Sequence, residues 1–326
     1  MGSVSAVIPN WNGRHLLIPL LESLGRQSVP VEEVIVVDNG SEDDSAAVAE
    51  ARGAKVIRMG RNLGYACAVN RGISASTKPW ILILNNDVVL EEHWVERMLA
   101  RLAQAGALFG VGKIYQAGKP GRLDATFDLL ARSGCACRCG QGRLEEVEWL
   151  PEGSAWLPPL TAALFLREIF DRVGLLDERF ESYLEDVDFG LRCVLEGVPG
   201  CYVPEAVAWH RGSATLGAYH PETVRRMARN QLFLVAKHYP RGWWRRLGWP
   251  VLVGQLLWGC VAVRHGRGMA YLRGKLEGLR QFAELRRSVE PREGVEAVLA
   301  ACERQLLDWQ RRSGYDTYWR LYFALT

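Results

Sequence analysis

Four short strand-like runs separated by three helical patterns fill the first 84 residues, and that alternation leaves few folds open to the chain. Val4 to Pro9, Val34 to Asp38, Lys55 to Met59 and Trp80 to Leu84 have the residue types of strands. Leu16 to Leu24, Asp44 to Arg52 and Tyr65 to Ser74 have the spacing of helices. Parallel neighbours need a crossover long enough to carry the chain back, and a helix is the usual one, so the alternation predicts an α/β fold with covering helices.

Each strand-like run ends on polar or glycine residues: Pro9-Asn10-Trp11-Asn12-Gly13, Asp38-Asn39-Gly40-Ser41, Arg61-Asn62-Leu63-Gly64 and Asn85-Asn86-Asp87. In an open α/β sheet these clusters share one edge, where ligands bind. Asp87 stands where the apolar run Trp80 to Leu84 stops and Val88-Val89-Leu90 begins, so it is a presented carboxylate able to hold a hard cation. Taken alone, Asn-Asn-Asp serves equally well as a turn or a helix cap. The G-x-G-x-x-G fingerprint and the G-x-x-x-x-G-K-[ST] loop are both missing after the first strand, which argues against a dinucleotide or a triphosphate.

Roughly a hundred residues further on, Glu185, Asp186 and Asp188 crowd the head of a helix-like segment. Crowding raises the proton affinity of the most buried carboxylate, which suits a general base. The bland alternative is that Asp186 and Asp188 merely favour the positive end of the helix. Residues 112 to 159 read as turn-rich and irregular, followed by a strand from Leu160 to Leu166 and a helix from Arg167 to Gly174. A last strand, Cys201 to Trp209, ends on His210-Arg211-Gly212-Ser213, where the imidazole can meet Asp87, although a lone histidine is more often structural.

A net charge of +3 is too mild to argue for a nucleic-acid partner, and no basic stripe is interleaved with aromatics before residue 240. Eight spread-out cysteines and no charged-then-apolar leader predict a reducing cytoplasm. Cys135-Ala136-Cys137-Arg138-Cys139 lacks the paired C-x-x-C spacing of zinc sites, and strand alternation would put the three thiols on one face.

Beyond Pro221 the periodicity is helical. The apolar stretch Leu247 to Val263 is 17 residues long, about 25 Å as a helix, and is interrupted by Pro250 and Gln255. It is flanked by Trp243, Trp244 and Trp249 and by Arg241, Arg245, Arg246, Arg264 and Arg267. That aromatic and basic flank predicts a helix lying on an anionic membrane surface, in preference to a buried helix or a true span. The final helices, from Pro291 onward, are amphipathic and carry no evident chemistry.

Residues 4 to 240 resemble family 2 inverting glycosyltransferases, in particular the rhamnosyltransferase-like branch that builds bacterial surface polysaccharides. The resemblance rests on Val7-Ile8-Pro9-Asn10-Trp11-Asn12, Val36-Val37-Asp38-Asn39-Gly40-Ser41, Asn62-Leu63-Gly64-Tyr65 with Asn70-Arg71-Gly72, Leu84-Asn85-Asn86-Asp87, Tyr183-Leu184-Glu185-Asp186-Val187-Asp188 and Trp209-His210-Arg211-Gly212-Ser213. It implies a GT-A fold, a Rossmann-like, mostly parallel mixed sheet flanked by helices, with a C-terminal helical extension. The implied domains are residues 1–220, divided into a nucleotide-sugar half (1–110) and an acceptor and catalytic half (111–220), and a helical region, 221–326.

The resemblance also implies roles. Asp38 accepts the N3 proton of uracil or thymine, Pro9 and Asn62 line the base pocket, and Asn86 lies near the ribose. Asn12, Gly64 and Asn70 belong to the same nucleotide-sugar site, and Arg229, beside Asn230, reaches the pyrophosphate. Asp87 and His210 hold a divalent cation, Mg or Mn. Asp186 is the general base, and Glu185 orients it or the acceptor. Many relatives carry two or three aspartates where this chain has Asn85-Asn86-Asp87, so metal affinity is expected to be weak until the donor's diphosphate supplies oxygens.

The implied partners are a TDP- or UDP-sugar donor, with rhamnose as a candidate sugar, and a hydroxyl of a polyprenyl-lipid-linked glycan. The implied location is cytoplasmic, peripheral at the inner face of the cell membrane. Sugar hydroxyls would be read by the 112 to 160 region together with Leu160 to Ala163. Two alternatives compete: a catalytically silent glycan-binding or nucleotide-binding subunit, and a sugar-phosphate nucleotidyltransferase, whose glycine-rich loop is absent.

Overall fold

The computed structural model describes residues 2–145, 151, 153, 154, 156–212, 219–290 and 292–326. They fall into two compact units. One comprises Met1–Phe127, Cys139–Leu150 and Pro158–Thr215; the other comprises Asp128–Arg138, Pro151–Leu157 and Leu216–Thr326.

The first unit begins with the expected alternation: β1 (Val4–Asn10), α1 (Arg14–Gly25), β2 (Glu33–Asp38), α2 (Ser45–Ala51), β3 (Lys55–Arg58), α3 (Tyr65–Ala75) and β4 (Trp80–Leu84). β1 runs parallel to β2 and β4, and β2 runs parallel to β3. Ala6 and Ile8 of β1 pack with Leu17, Leu20 and Leu24 of α1, while Ile35 and Val37 of β2 meet Ala68 of α3. Burial on both faces explains why these strands are spelled as continuous apolar runs.

β5 (Val88–Leu90), α4 (Trp94–Ala105), β6 (Phe109–Gln116) and β7 (Leu123–Ala125) follow. The hairpin strands β8 (Asp128–Leu130) and β9 (Ala136–Arg138) lie in the second unit. The chain then continues as β10 (Ala162–Leu166), α5 (Glu168–Val173), α6 (Glu185–Leu195) and β11 (Gly200–His210). Across the sheet the order is β3-β2-β1-β4-β10-β6-β11-β5, with β7 beside β6. β10 is antiparallel to both β4 and β6, and β11 is parallel to β6 but antiparallel to β5, so the sheet is mixed.

The expectation that order stops at residue 112 needs correction, because β6 runs through that point and β7 lies beyond it. Gly110 and Gly112 hide β6 from a strand pattern, and both are required by close packing. A Cβ on Gly112 would stand 2.0 Å from the carbonyl oxygen of Ala206, and one on Gly110 would stand 2.4 Å from Met98 Sδ. β11 shifts register between Val203 and Val207, around Pro204, then pairs again with β6 and brings His210 opposite Val88. That pairing puts the end of β11 against the residue that follows Asn85-Asn86-Asp87.

Beside the β8–β9 hairpin, the second unit holds α7 (Pro221–His238), α8 (Gly248–Arg264), α9 (Gly268–Ser288), α10 (Val295–Ser313) and α11 (Thr317–Leu325), with a 3-10 turn at Trp243–Arg245. No described helix is long and apolar enough to cross a membrane. Of the three clustered cysteines, Cys137 alone lies within β9, and all three are in the thiol form.

α9 approaches α7 through glycine: a Cβ on Gly274 would lie 2.1 Å from the carbonyl oxygen of Arg225. Next to it, Lys275 buries its ammonium, donating to Ala228 O at 2.8 Å, to Gln231 Oε1 at 2.9 Å and to Gln255 Oε1. None of these acceptors is charged, so burial dominates and lowers the Lys275 pKa to about 7. The titratable groups around it are held neutral by burial, Cys135 raised and Tyr271 pushed up to about 12.

Between pH 7 and the ordinary lysine range the unfolded chain therefore binds one more proton than the folded one. The Lys275 contribution to stability is greatest above that range and is lost as pH falls through 7. Lys275→Met is expected to flatten the rise in denaturation midpoint that the wild type shows between pH 6.5 and 9. An unchanged slope in the variant would contradict this.

Candidate donor and catalytic site

The carboxyl ends of β1, β2 and β4 meet at one edge of the first unit. Asp38 ends β2, directly opposite Asn10 of β1, and is 5% exposed. Its Oδ2 accepts from Ser41 N at 3.3 Å, but Oδ1 is buried without a partner. An unmet buried acceptor costs about 1–3 kcal/mol, so a ligand donor at this point is chemically favoured.

Asn39 ties the next turn to this edge. Its Nδ2 donates to Asn62 Oδ1 at 3.1 Å and to Gly64 O at 3.0 Å, and its Oδ1 accepts from Leu63 N at 2.9 Å. Gly40, at φ +77, lets the two turns touch, since a Cβ there would be 2.5 Å from the Arg61 Cα. On the other side Asn86 Nδ2 donates to Asn10 Oδ1 at 2.8 Å, beneath Gly13, where a Cβ would meet both side chains. Exposed Asn12, at φ +50, is fixed by Ser41 Oγ and by the Glu42 amide. Pro9 is buried beside Val37.

Asn70 is placed differently from its expected part in the nucleotide site. Both ends of its buried carboxamide are engaged: Nδ2 with Leu176 O at 2.9 Å and Glu178 Oε1 at 3.0 Å, and Oδ1 with Leu176 N at 3.0 Å. It fastens α3 to the segment that leads into α6.

Asp87 and His210 meet as expected, with Asp87 Oδ1 3.0 Å from Nε2. The other ring nitrogen, Nδ1, is 2.8 Å from Oδ2 of Asp124, which the sequence reading did not single out. Burial works against a charged imidazole, but the hydrogen bonds to Asp124 and then Asp87 outweigh it and push the His210 pKa up to about 9. The carboxylate–imidazole–carboxylate row is thus held together by a proton. Ser213, the last residue of that motif, lies outside the described residues.

The three carboxylates of α6 have separate environments. Asp188 is fully buried and paired with Arg192, whose Nη2 is 3.0 Å from Oδ2 and which also donates to the carbonyls of Val173 and Leu175. Its charge therefore serves the core, and the crowding expected from sequence is relieved. Glu185 is buried and Asp186 half-buried.

Ahead of them the backbone is strained, with Glu181, Tyr183 and Leu184 all at positive φ (60, 72 and 66). The start of α3 holds this turn: Ala66 N donates to Glu181 O at 2.9 Å and Tyr65 N donates to Ser182 Oγ at 3.2 Å. These are helix-end donors that lack a side-chain cap. The start of α3, just after Asn62-Leu63-Gly64, and the strained turn ahead of Glu185 and Asp186 are thereby built on one another.

The profile of the family described as Glycosyl transferase family 2 matches residues 5–147. The N-acetylglucosaminyl-diphospho-decaprenol L-rhamnosyltransferase of Mycobacterium tuberculosis is 31% identical over 261 residues, which cover 69% of this chain and 81% of that relative. The chain belongs to glycosyltransferase family 2. The nucleotidyltransferase alternative falls with that.

Solved structures agree on the fold of this glycosyltransferase. GalNAc-T7 with UDP, GalNAc and Mn2+ superposes with a TM-score of 0.60 at 15% identity, covering 96% of this chain and 58% of its own. Staphylococcus aureus TarS gives 0.56 at 15% identity, covering 95% and 54%. At that identity the likeness is one of fold, the expected GT-A arrangement.

Arg229 of the glycosyltransferase stands on α7, in the second unit. It is buried, with Nε 2.9 Å from Asn230 Oδ1 and its guanidinium over the Phe233 ring. Asn10 and Asn39 stood in the quoted motifs without a role, and their hydrogen bonds now show what they hold. Asp124 had no local signal at all, because its meaning depends on β7 lying beside β6 and, through it, near the end of β11.

Proposed function

We propose that this glycosyltransferase moves a sugar, with rhamnose first among the candidates, from a TDP- or UDP-sugar to a hydroxyl of a polyprenyl-lipid-linked glycan, with inversion. The observation that carries the reading is the buried, unpartnered Oδ1 of Asp38 at the end of β2. The N3–H of a uracil or thymine ring is the donor it lacks. Pro9, Asn12, Asn62 and Gly64 then line the base side and Asn86 the ribose side. Residues 1–110 carry the donor and 111–220 the acceptor and base.

Asp87 and His210 suit a divalent cation, since one carboxylate oxygen and one imidazole nitrogen stand 3.0 Å apart and buried. Such a mixed pair favours Mn over Mg. Among the described residues no group of three or more His, Cys, Asp or Glu is arranged to hold a metal, so the donor's phosphate oxygens would complete the set. When bound, the cation supplies charge stabilisation to the departing diphosphate. His210 must release its Nε2 proton to take part, while Asp124 keeps Nδ1–H and fixes the ring.

Asp186 takes the proton of the attacking hydroxyl, and Glu185 orients it. The relative from Mycobacterium tuberculosis is named for a decaprenol-linked substrate, which supports a lipid-linked acceptor here. The Trp-Arg flank of α8 would bring the enzyme to the inner face of the cell membrane.

Asp38→Ala tests the carrying observation. It is expected to weaken UDP or TDP binding at least tenfold, as the loss of one hydrogen bond to a charged group predicts, with guanosine diphosphate unaffected. Equal binding of UDP by the variant and the wild type would overturn the assignment.

A further inference from the structure

Among the described residues the large apolar side chains left exposed are unevenly shared. Three, Leu144, Leu175 and Trp209, are in the first unit and thirteen are in the second. Scattered single residues are ordinary, whereas a contiguous group marks a partner surface.

On α9 the exposed residues are Met269, Leu272, Leu276 and Leu279, each more than half exposed. Their spacing of three, four and three puts them in one ridge. The ridge lies opposite Gly274, Gly278 and Leu285, the face of α9 that is buried. α8 repeats the arrangement, with Trp249, Leu252, Leu256 and Val263 outward and Gly254 and Gln255 inward.

The two helices share their inner side, because Lys275 of α9 bonds Gln255 of α8 and Gln231 of α7, and Tyr271 packs on Trp258. Both ridges therefore turn away from the same packed interior. Arg273, Arg280 and Arg287 recur at intervals of seven beside the α9 ridge and are all exposed, with Arg264 exposed at the end of α8. Glu277, the acidic residue within that stretch, is paired with Arg225, and Glu284 is the other carboxylate on the exposed flank.

We propose that α8 and α9 together form an in-plane platform for an anionic lipid surface, with α9 as a second contact helix and its arginine row set against the headgroups. The proposal rests on the reading of α8 as membrane-facing and extends it to a helix that the sequence pattern left unremarked. Charge decides the occupant. A two-fold copy of this chain would set the same cationic row against itself, whereas an anionic bilayer complements it. Helices too short and polar to span, with an apolar ridge and an arginine flank, lie at the headgroup boundary.

The test is co-sedimentation of the full chain with vesicles of phosphatidylcholine alone or mixed with phosphatidylglycerol. The wild type is expected to bind the mixed vesicles and to be released by salt. Leu272→Glu with Leu276→Glu is expected to lower vesicle affinity about tenfold or more while leaving UDP or TDP binding unchanged, which also shows that the variant is folded. Arg273→Ala, Arg280→Ala and Arg287→Ala together should remove the preference for phosphatidylglycerol.

If the α9 variant binds as the wild type does while Leu252→Glu with Leu256→Glu does not, α9 is no contact helix, though the α8 reading stands. Wild-type protein that binds neither vesicle overturns both. A wild-type dimer that the α9 variant splits, with vesicle binding unaltered, assigns the ridge to a second copy and overturns the lipid proposal.

Discussion

Replacing Asp186 by asparagine is expected to lower turnover by about two to four orders of magnitude, the usual worth of a positioned general base. The affinity for UDP or TDP should stay as in the wild type, because the donor edge at Asp38, Asn39 and Asn62 is built without Asp186. Asp188 provides the contrast. It is fully buried against Arg192, so Asp188→Asn should act on folding, and the cost of breaking a buried pair is about 3–5 kcal/mol. Turnover of Asp186→Asn in single-turnover assays, beside its denaturation midpoint, separates chemistry from stability. A variant that keeps most of its activity would remove Asp186 from the base position.

The second large effect is expected at Gly64. It sits at φ +91 and ψ 164, a region that is essentially reserved for glycine. A Cβ there would stand 2.8 Å from Glu181 O and 2.9 Å from Glu181 Cα. These are backbone atoms of the strained turn that leads to Glu185 and Asp186, so neither side can yield without moving the other. Gly64→Ala is expected to weaken donor binding and lower turnover together.

Gly53→Ala is the matched control. Gly53 has φ +79 but nothing within 4 Å of its would-be Cβ, so the change there carries backbone strain without the clash. If the two variants lose the same amount of stability and both keep wild-type kinetics, the donor turn and the base are not built on one another.

Much of this site was written in the sequence, and the reasons are physical. β1, β2 and β4 are buried on both faces, so their ends show as abrupt changes from apolar runs to Asn, Asp and Gly. β6 gave no such signal, because Gly110 and Gly112 make room for Met98 and the Ala206 carbonyl where a strand pattern expects side chains. With β6 and β7 unseen, Asp124 could not be connected to His210. Its part is created by strand pairing between distant segments, which leaves no mark on its neighbours.

Asn70 and Asp188 illustrate a different limit. Their residue types suited the nucleotide site and the base cluster, and only side-chain direction turns both toward the framework. The α9 ridge escaped for the opposite reason. Apolar residues at helical spacing normally denote a core face, and only the glycines at Gly274 and Gly278 reveal that the other face is the packed one.

The most direct test of the donor site is calorimetric titration of the full chain with UDP, TDP, GDP and a nucleoside triphosphate, each with and without manganese. The account predicts selective binding of UDP or TDP that strengthens when manganese is present, with the gain lost in His210→Ala. No binding of either diphosphate under any condition, or binding that is equally strong for GDP and indifferent to manganese, would contradict both the Asp38 assignment and the Asp87–His210 cation site.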